Sequence, residues 1–297
     1  MKNSIETAFI LCAGMGTRMG PLGVHLPKVM WPVFEGVLLD LQIKYARSIG
    51  MKKIYLNTFH CAEVISDFLK DGEYSDVEII HEKELLDVGG AIHNLQSQKK
   101  MNEKILILNG DQFLFSSEMQ VFLFQSFKSA AIAVLLEVKV EKNELYNRLV
   151  KSNKNLVDII PATSPGVEKY QTTYSGVAVI DLTKLVYRPG KSKFFETVAE
   201  FQIQNVECIL LGNYEYWDFG TFDRFLDCHK VIIEKISNKS TQSDFIDFTI
   251  AQGAVDSKKI SRPESYNSPE KSHYLFSKDF SIIREKIYYK NLVYAQK

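Results

Sequence analysis

The sequence predicts an α/β fold, a mostly parallel mixed sheet flanked by helices with a small β-rich appendage at its C-terminal end, and three observations carry that prediction. Short β-rich runs alternate with segments of helical period, the order expected when each crossover helix returns the chain to the sheet. The first run, "TAFILCA", empties directly into a glycine-rich turn. At 297 residues and 45% hydrophobic content, the chain has apolar material for one large domain or two ordinary ones.

The candidate strands are "TAFILCA", "KIYLNT", "VEIIHE", "KILILNGD", "AIAVLLEVKV", "YSGVAVID" and "VECILLG". Between the first two, "LLDLQIKYARSIG" sets Leu38, Leu41, Tyr45 and Ile49 on one helical face and stops at Gly50, which makes one βαβ crossover. "KFFETVAEFQIQ", with Phe194, Phe195, Val198 and Phe201, and "FDRFLDCHKVIIEKIS", with Phe222, Phe225, Ile232 and Ile236, also read as amphipathic helices. Helical spacing alone explains their aromatic stripes, so these serve the core. Beyond residue 238 the chain turns polar in "SNKSTQSDF" and carries Pro263 and Pro269, so residues 1–238 are expected as the main domain and 239–297 as a linker and appendage. In "FSIIREKIYYKNLVYAQK", Ile282 with Tyr288 and Ile287 with Val293 stand six apart. A degenerate coil of a hexapeptide β-helix or one or two edge strands both fit that spacing.

Thirty-six basic residues cancel thirty-six acidic ones, so no global positive field exists to hold a nucleic acid or an anionic membrane. Recognition of phosphate must therefore be local. Cys12, Cys61, Cys208 and Cys228 show no C-x-x-C spacing, which argues against a zinc site or disulfide framework and suits a reducing cytoplasm. The N-terminus lacks a signal-peptide layout, and the run from Ala130 to Leu136 is far below membrane-spanning length. A cytoplasmic location is the expectation, with no membrane partner and with homo-oligomerisation left open.

The glycine turn carries the chemistry. Glycines after a strand let the backbone approach a ligand, and exposed N–H groups can cradle phosphate oxygens. The dinucleotide fingerprint G-x-G-x-x-G fails, because Met19 stands where its third glycine belongs when counted from Gly14 and Gly16. The P-loop spacing fails too, since Pro21 falls on its second glycine when counted from Gly16. What remains is G-x-G-T-R followed by Pro27 and Lys28. Arg18 offers a planar fork and Lys28 a point charge, so the two can grip different phosphates of one polyphosphate.

"GMGTRMGPLGVHLPKVMWPV" resembles the signature of the sugar-1-phosphate nucleotidyltransferases, G-x-G-T-R-L-x-P-L-T followed by P-K-P. "KILILNGDQFLF" is similar to the family's strand ending in N-G-D, and "YWDFGTFDRFLDCHK" to its W-x-D-x-G-T-P-E segment. "HEKELLDVGGAIHNL" is similar to the loop beside the nucleobase, and "YSGVAVID" to a strand near the sugar. The likeness runs from about Ala8 to Lys230 and is nearest to short bacterial enzymes acting on mannose 1-phosphate or N-acetylmuramate 1-phosphate. It implies a Rossmann-like sheet of the nucleotide-diphospho-sugar transferase type and a reaction of a nucleoside triphosphate, UTP or GTP, with a sugar 1-phosphate.

The resemblance also implies roles. Arg18, Lys28 and Asp111 would be catalytic, and Asp111 with Asp218 would hold Mg²⁺. Nucleotide contacts would come from Leu11, Ala13, Gly14, Met15, Gly16, Thr17, Arg18, Lys28, Glu82, Gly89, Gly90, Asn109 and Gly110, and sugar contacts from Asn109, Tyr174 and Gly176. The chain departs from the pattern at Asp87 and Val88 in the base loop, at Val29, Gly20, Gly23 and Phe222. These departures motivate an alternative, a catalytically silent relative that binds a nucleotide-sugar and acts on a partner through its appendage.

Overall fold

The structure, a computed structural model, describes residues 4–14, 16, 23, 26–70, 72–141, 146–162, 169–238 and 242–257, together with the backbone of four strands within 273–295. The chain opens with β1 (Thr7–Leu11), a 3-10 turn at Lys28–Met30, and the ribbon β2 (Pro32–Val33) and β3 (Gly36–Val37). It continues through α1 (Leu38–Ser48), β4 (Lys53–Thr58), α2 (Ala62–Lys70), β5 (Val77–His81), α3 (Asp87–Lys99), β6 (Lys104–Asn109), β7 (Gln112–Phe115) and α4 (Met119–Lys128). Next come β8 (Ala133–Glu141), β9 (Arg148–Ser152), β10 (Asn155–Ile160), β11 (Tyr170–Asp181), α5 (Phe194–Thr197), β12 (Val206–Leu210), β13 (Glu215–Asp218), α6 (Phe222–Ser237) and α7 (Asp244–Ala251). Strands β14 (His273–Ser277), β15 (Phe280–Ile283), β16 (Lys286–Tyr289) and β17 (Leu292–Ala295) follow.

The main sheet has the order β5-β4-β1-β6-β11-β8-β12-β10-β9. Its first four strands are parallel to one another, and β12 is parallel to β8. Strand β11 runs antiparallel between β6 and β8, and β10 runs antiparallel to both its neighbours. The parallel half explains the unbroken apolar runs met in the sequence, because its strands are buried on both faces. Ala8 and Ile10 of β1 with Leu106 and Leu108 of β6 face one apolar layer, while Phe9, Ile105 and Ile107 face the other. In such a sheet, ligands gather outside the carboxyl ends of the strands. Here those ends carry Leu11, Asn57, Glu82 and Asn109.

Three segments differ from expectation. The helix expected over "KFFETVAEFQIQ" is a single turn, α5, after which the chain bends so that Val198 and Ala199 are buried. The apolar spacing there records burial on both sides of a turn, not a longer helix. The expected linker after residue 238 includes α7, which is part of the main core: Phe245 is fully buried against Phe113, Phe115, Trp217 and Phe219. Its N-terminus docks on Glu215, whose carboxylate accepts from Ser243 Oγ at 2.7 Å and from the Asp244 amide at 2.9 Å. Finally, β14 to β17 pair antiparallel in sequence order, each hairpin folding back on the last. A hexapeptide coil stacks parallel, so the six-residue spacing reports consecutive hairpin strands. Among the described residues no helix is long and apolar enough to cross a membrane.

Candidate active site

A cleft of about 280 Å³ opens at the carboxyl ends of β1, β4, β5 and β6, lined in part by Ala13, Gly14, Gly16, Lys28, Glu82 and Asp111. Its floor is tied by a chain of buried polar groups. The Cys12 amide donates to Asn57 Oδ1 at 2.7 Å, Asn57 Nδ2 donates to Glu82 Oε1 at 2.7 Å, and the Leu86 amide donates to Glu82 Oε2 at 3.1 Å. One relay thus fixes the turn after β1 to the start of α3. Burial pushes the Glu82 carboxyl above its usual range, opposed by the hydrogen bonds from Asn57 and Leu86.

The glycine turn is pinched where it leaves and rejoins this floor. Gly16 has φ of 62°, and a Cβ on Gly23 would lie 2.2 Å from the Gly16 carbonyl oxygen. Gly23, a departure from the family pattern, is therefore what lets the two ends of the turn touch. Beside Gly14, by contrast, a Cβ would meet nothing within 4 Å, so that backbone faces open space in the cleft. Met15, Thr17 and Arg18 lie outside the described residues.

At the other end of the cleft two aspartates converge. Strand β13 pairs with β7 so that Asp218 sits opposite Gln112, one residue from Asp111, and the Phe219 amide donates to the Asp111 carbonyl at 2.9 Å. The Gly220 amide donates to Asp218 Oδ1 at 2.6 Å. A Cβ on Gly220 would lie 2.5 Å from Asp218 Oδ1 and 3.5 Å from Asp111 Oδ2, so only glycine lets both carboxylates pack this closely against the chain here. Lys28 Nζ pairs with Asp111 Oδ2 and donates to the Gly220 carbonyl at 2.9 Å, tying the 3-10 turn to this pair. Asp218 Oδ2 accepts from Gln112 Nε2 at 3.0 Å, from Arg224 at 3.0 Å and from the Tyr146 hydroxyl.

This pair of aspartates fits Mg²⁺. The ion takes a few hard carboxylate oxygens and completes its shell with water and substrate phosphate, and Asp111 and Asp218, converging beside the cleft, supply two such donors. The described residues hold no larger cluster of acidic or imidazole ligands.

The remaining expected site residues divide. Leu11, Ala13, Gly14, Gly16, Lys28, Glu82, Asn109 and Asp111 line the cleft together. Gly110 lies beneath it, where a Cβ would strike Val29 Cγ1 at 2.6 Å and the Leu11 carbonyl at 2.8 Å. Gly89 and Gly90, expected in a loop, sit in the first turn of α3 and are buried against the 190–193 segment. A Cβ on Gly89 would come within 2.5 Å of the Lys193 carbonyl, and the Gly90 amide already donates to Ser192. These two glycines allow close packing, and Asp87 and Val88 line the cleft in their place. Tyr174, expected near a sugar, stacks on Phe194 at 5.7 Å in the apolar layer away from the cleft. Gly176 backs the site, because its φ of 85° and missing Cβ make room for Asn109 and Gln112, themselves bonded at 2.7 Å.

Asn57, Gln112, Tyr146, Gly220 and Arg224 belong to this network and were not singled out from the sequence. A polar residue ending the apolar run "KIYLN" was the available signal for Asn57. Arg224 had none, since a charged residue in an amphipathic helix reads as solvated surface.

A family model described as nucleotidyl transferase matches residues 7–163, more than half of the chain. The chain belongs to the nucleotidyl transferase family. The chain is 35% identical over 108 residues to the D-glycero-alpha-D-manno-heptose 1-phosphate guanylyltransferase of Campylobacter jejuni, covering 36% of this chain and 48% of that protein. It is 32% identical over 153 residues to a bifunctional sugar-1-phosphate nucleotidylyltransferase/acetyltransferase of Sulfurisphaera tokodaii, covering 50% of this chain and 34% of that protein. The chain thus spans about half or less of the length of these curated relatives. HddC from Yersinia pseudotuberculosis shares the fold, with a TM-score of 0.63 at 21% identity over 76% of this chain and 99% of that one, and that protein has also been solved complexed with GMP-PN. A UDP-glucose pyrophosphorylase complexed with UDP-glucose has a TM-score of 0.62 at 13% identity over 78% of this chain and 99% of that chain.

Proposed function

We propose that the protein joins a nucleoside triphosphate to a sugar 1-phosphate, releasing pyrophosphate and a nucleotide-sugar in a Mg²⁺-dependent reaction. The observation that carries this reading is the convergence of Lys28, Asp111 and Asp218 around Gly220, at one end of a cleft opened by the glycine turn. A phosphate oxygen of the sugar attacks the α-phosphorus in line, and the bond from that phosphorus to the bridging oxygen of the β-phosphate breaks. Such a reaction asks the protein chiefly to position reactants and offset charge.

The open backbone at Gly14 receives the triphosphate. Lys28, already held between Asp111 and Gly220, reaches the α-phosphate, and Arg18 receives the charge of the departing pyrophosphate. Asp111 and Asp218 are the residues that would hold Mg²⁺, which would supply charge neutralisation to the reacting phosphates. The sugar phosphate enters from a second cavity of about 670 Å³, lined by Tyr146, Tyr216, Asp218 and Arg224 among others.

For the base, GTP is preferred. Glu82 has both carboxylate oxygens engaged by Asn57 and Leu86, while the exposed Asp87 lines the same end of the cleft. Guanine presents two adjacent donors, N1–H and the 2-amino group, that a carboxylate accepts as a pair, whereas uracil presents one. Asp87 also has φ of 60°, so its side chain is held at this position despite a backbone conformation that favours glycine. The guanylyltransferase relative points to the same base. The test is pyrophosphate release from GTP, UTP, dTTP, CTP and ATP. Replacing Asp87→Gly lowers the GTP-over-UTP ratio by about tenfold, the scale of one lost charge-assisted pairing. An unchanged ratio removes Asp87 from base selection.

A further inference from the structure

Asp218 is held in a way that its role as a metal ligand does not explain. Its Oδ2 accepts from Arg224, Tyr146 and Gln112 together, and the Arg224 guanidinium carbon lies over the Tyr146 ring, 4.0 Å from its centroid. Arg224 is itself set by its helix. Thr221 caps α6 and accepts from the Arg224 amide, so the side chain leaves the first turn directly toward β13. Asp111 has its own cation in Lys28. Each carboxylate of the pair thus has its own cation before any substrate arrives.

We propose that Arg224 is a positioning residue that serves as the counter-ion of Asp218, so that the metal is drawn in with the substrate's phosphates and not beforehand. The inference rests on the nucleotidyl-transfer reading above. Two carboxylates this close repel each other, and the two cations hold them in place without a metal. The same two cations oppose entry of a free divalent ion, since a dication close to a fixed positive charge is repelled even where water screens part of the field. A triphosphate changes the balance by bringing several negative charges and by offering Lys28 a new partner. Arg224, engaged through Oδ2, leaves Asp218 Oδ1 turned toward Gly220 and Asp111.

The test is binding of Mn²⁺, followed by electron paramagnetic resonance as free and protein-bound ion, to the full chain with and without nucleotide. Wild type binds Mn²⁺ weakly alone and tightly with GTP or UTP. Arg224→Gln binds Mn²⁺ alone on the order of tenfold more tightly than wild type. Arg224→Lys, which keeps the charge, stays as weak as wild type, and adding Asp111→Asn to Arg224→Gln abolishes the gain. A purely structural Arg224 would leave free-ion affinity unchanged or lower it in Arg224→Gln, and either result overturns the proposal. Arg224→Lys matching Arg224→Gln also overturns it, because charge would not then be the cause. If wild type holds no Mn²⁺ with either nucleotide, the transfer reading itself fails and the proposal falls with it.

Discussion

At the scale of single residues, the site is built from side chains that each serve two neighbours. Lys28 bridges Asp111 and the Gly220 carbonyl, so its loss removes a charge and leaves Asp111 without its cation together. Lys28→Ala and Asp111→Asn are each expected to lower turnover on the order of 100- to 1,000-fold, measured as pyrophosphate release with the fold checked by circular dichroism. Gly220→Ala is expected to cost comparable activity, because its methyl would strike Asp218 Oδ1 and displace that carboxylate. A different residue governs pH. His229 is buried among Phe34, Phe219 and Phe225, and burial lowers its pKa from 6.5 to about 4. The unfolded chain therefore binds a proton between those values that the folded chain does not, so stability falls as pH drops from 6.5 through 4. The loss is roughly 3 kcal/mol at most, and His229→Gln should flatten this part of the pH dependence of thermal melting relative to wild type.

Elements set which of these residues were legible in advance. Strands β1, β4, β5 and β6 and helix α6 were readable because their periodicity and their packing agree. The glycine-rich motif was readable because it follows a parallel strand directly, and Gly14, Gly16 and Lys28 of that stretch line one cleft. The first turn of α3 was not: Gly89 and Gly90 look like loop glycines until the 190–193 segment is seen against them, and that contact is nonlocal. Gly89→Ala is expected to destabilise the fold by about 1–3 kcal/mol through overpacking, readable as a lowered midpoint in urea. Helix α7 was hidden by the polar stretch before it, though Ser243 and the "DFIDF" pattern were there to be read as a capped amphipathic turn. Phe245→Ala is expected to cost about 3–5 kcal/mol in the same assay, as befits a buried aromatic of the main core. The partners of Asp218 were illegible, because Tyr146, Arg224 and Gln112 come from separate stretches of chain and meet only in the folded molecule.

For the whole molecule, topology decides where chemistry can happen. The parallel half of the sheet points its strand ends at one cleft, and the antiparallel strand β11 brings Gly176 up behind Asn109 and Gln112 at the edge of that cleft. The short β7–β13 ladder then delivers Asp218 from far along the chain to the side of Asp111. With no net charge overall, the molecule has no long-range pull on polyanions, so affinity for a triphosphate must come from this one locality. The central claim is that this locality transfers a nucleotidyl group to a sugar phosphate. Its most direct test is pyrophosphate release from a matrix of nucleoside triphosphates and sugar 1-phosphates with Mg²⁺, heptose and mannose 1-phosphates included, run beside Asp111→Asn. The account predicts release with at least one pair, fastest with GTP, and a fall on the order of 100- to 1,000-fold in the variant. No release from any pair, or release that Asp111→Asn leaves intact, would contradict it.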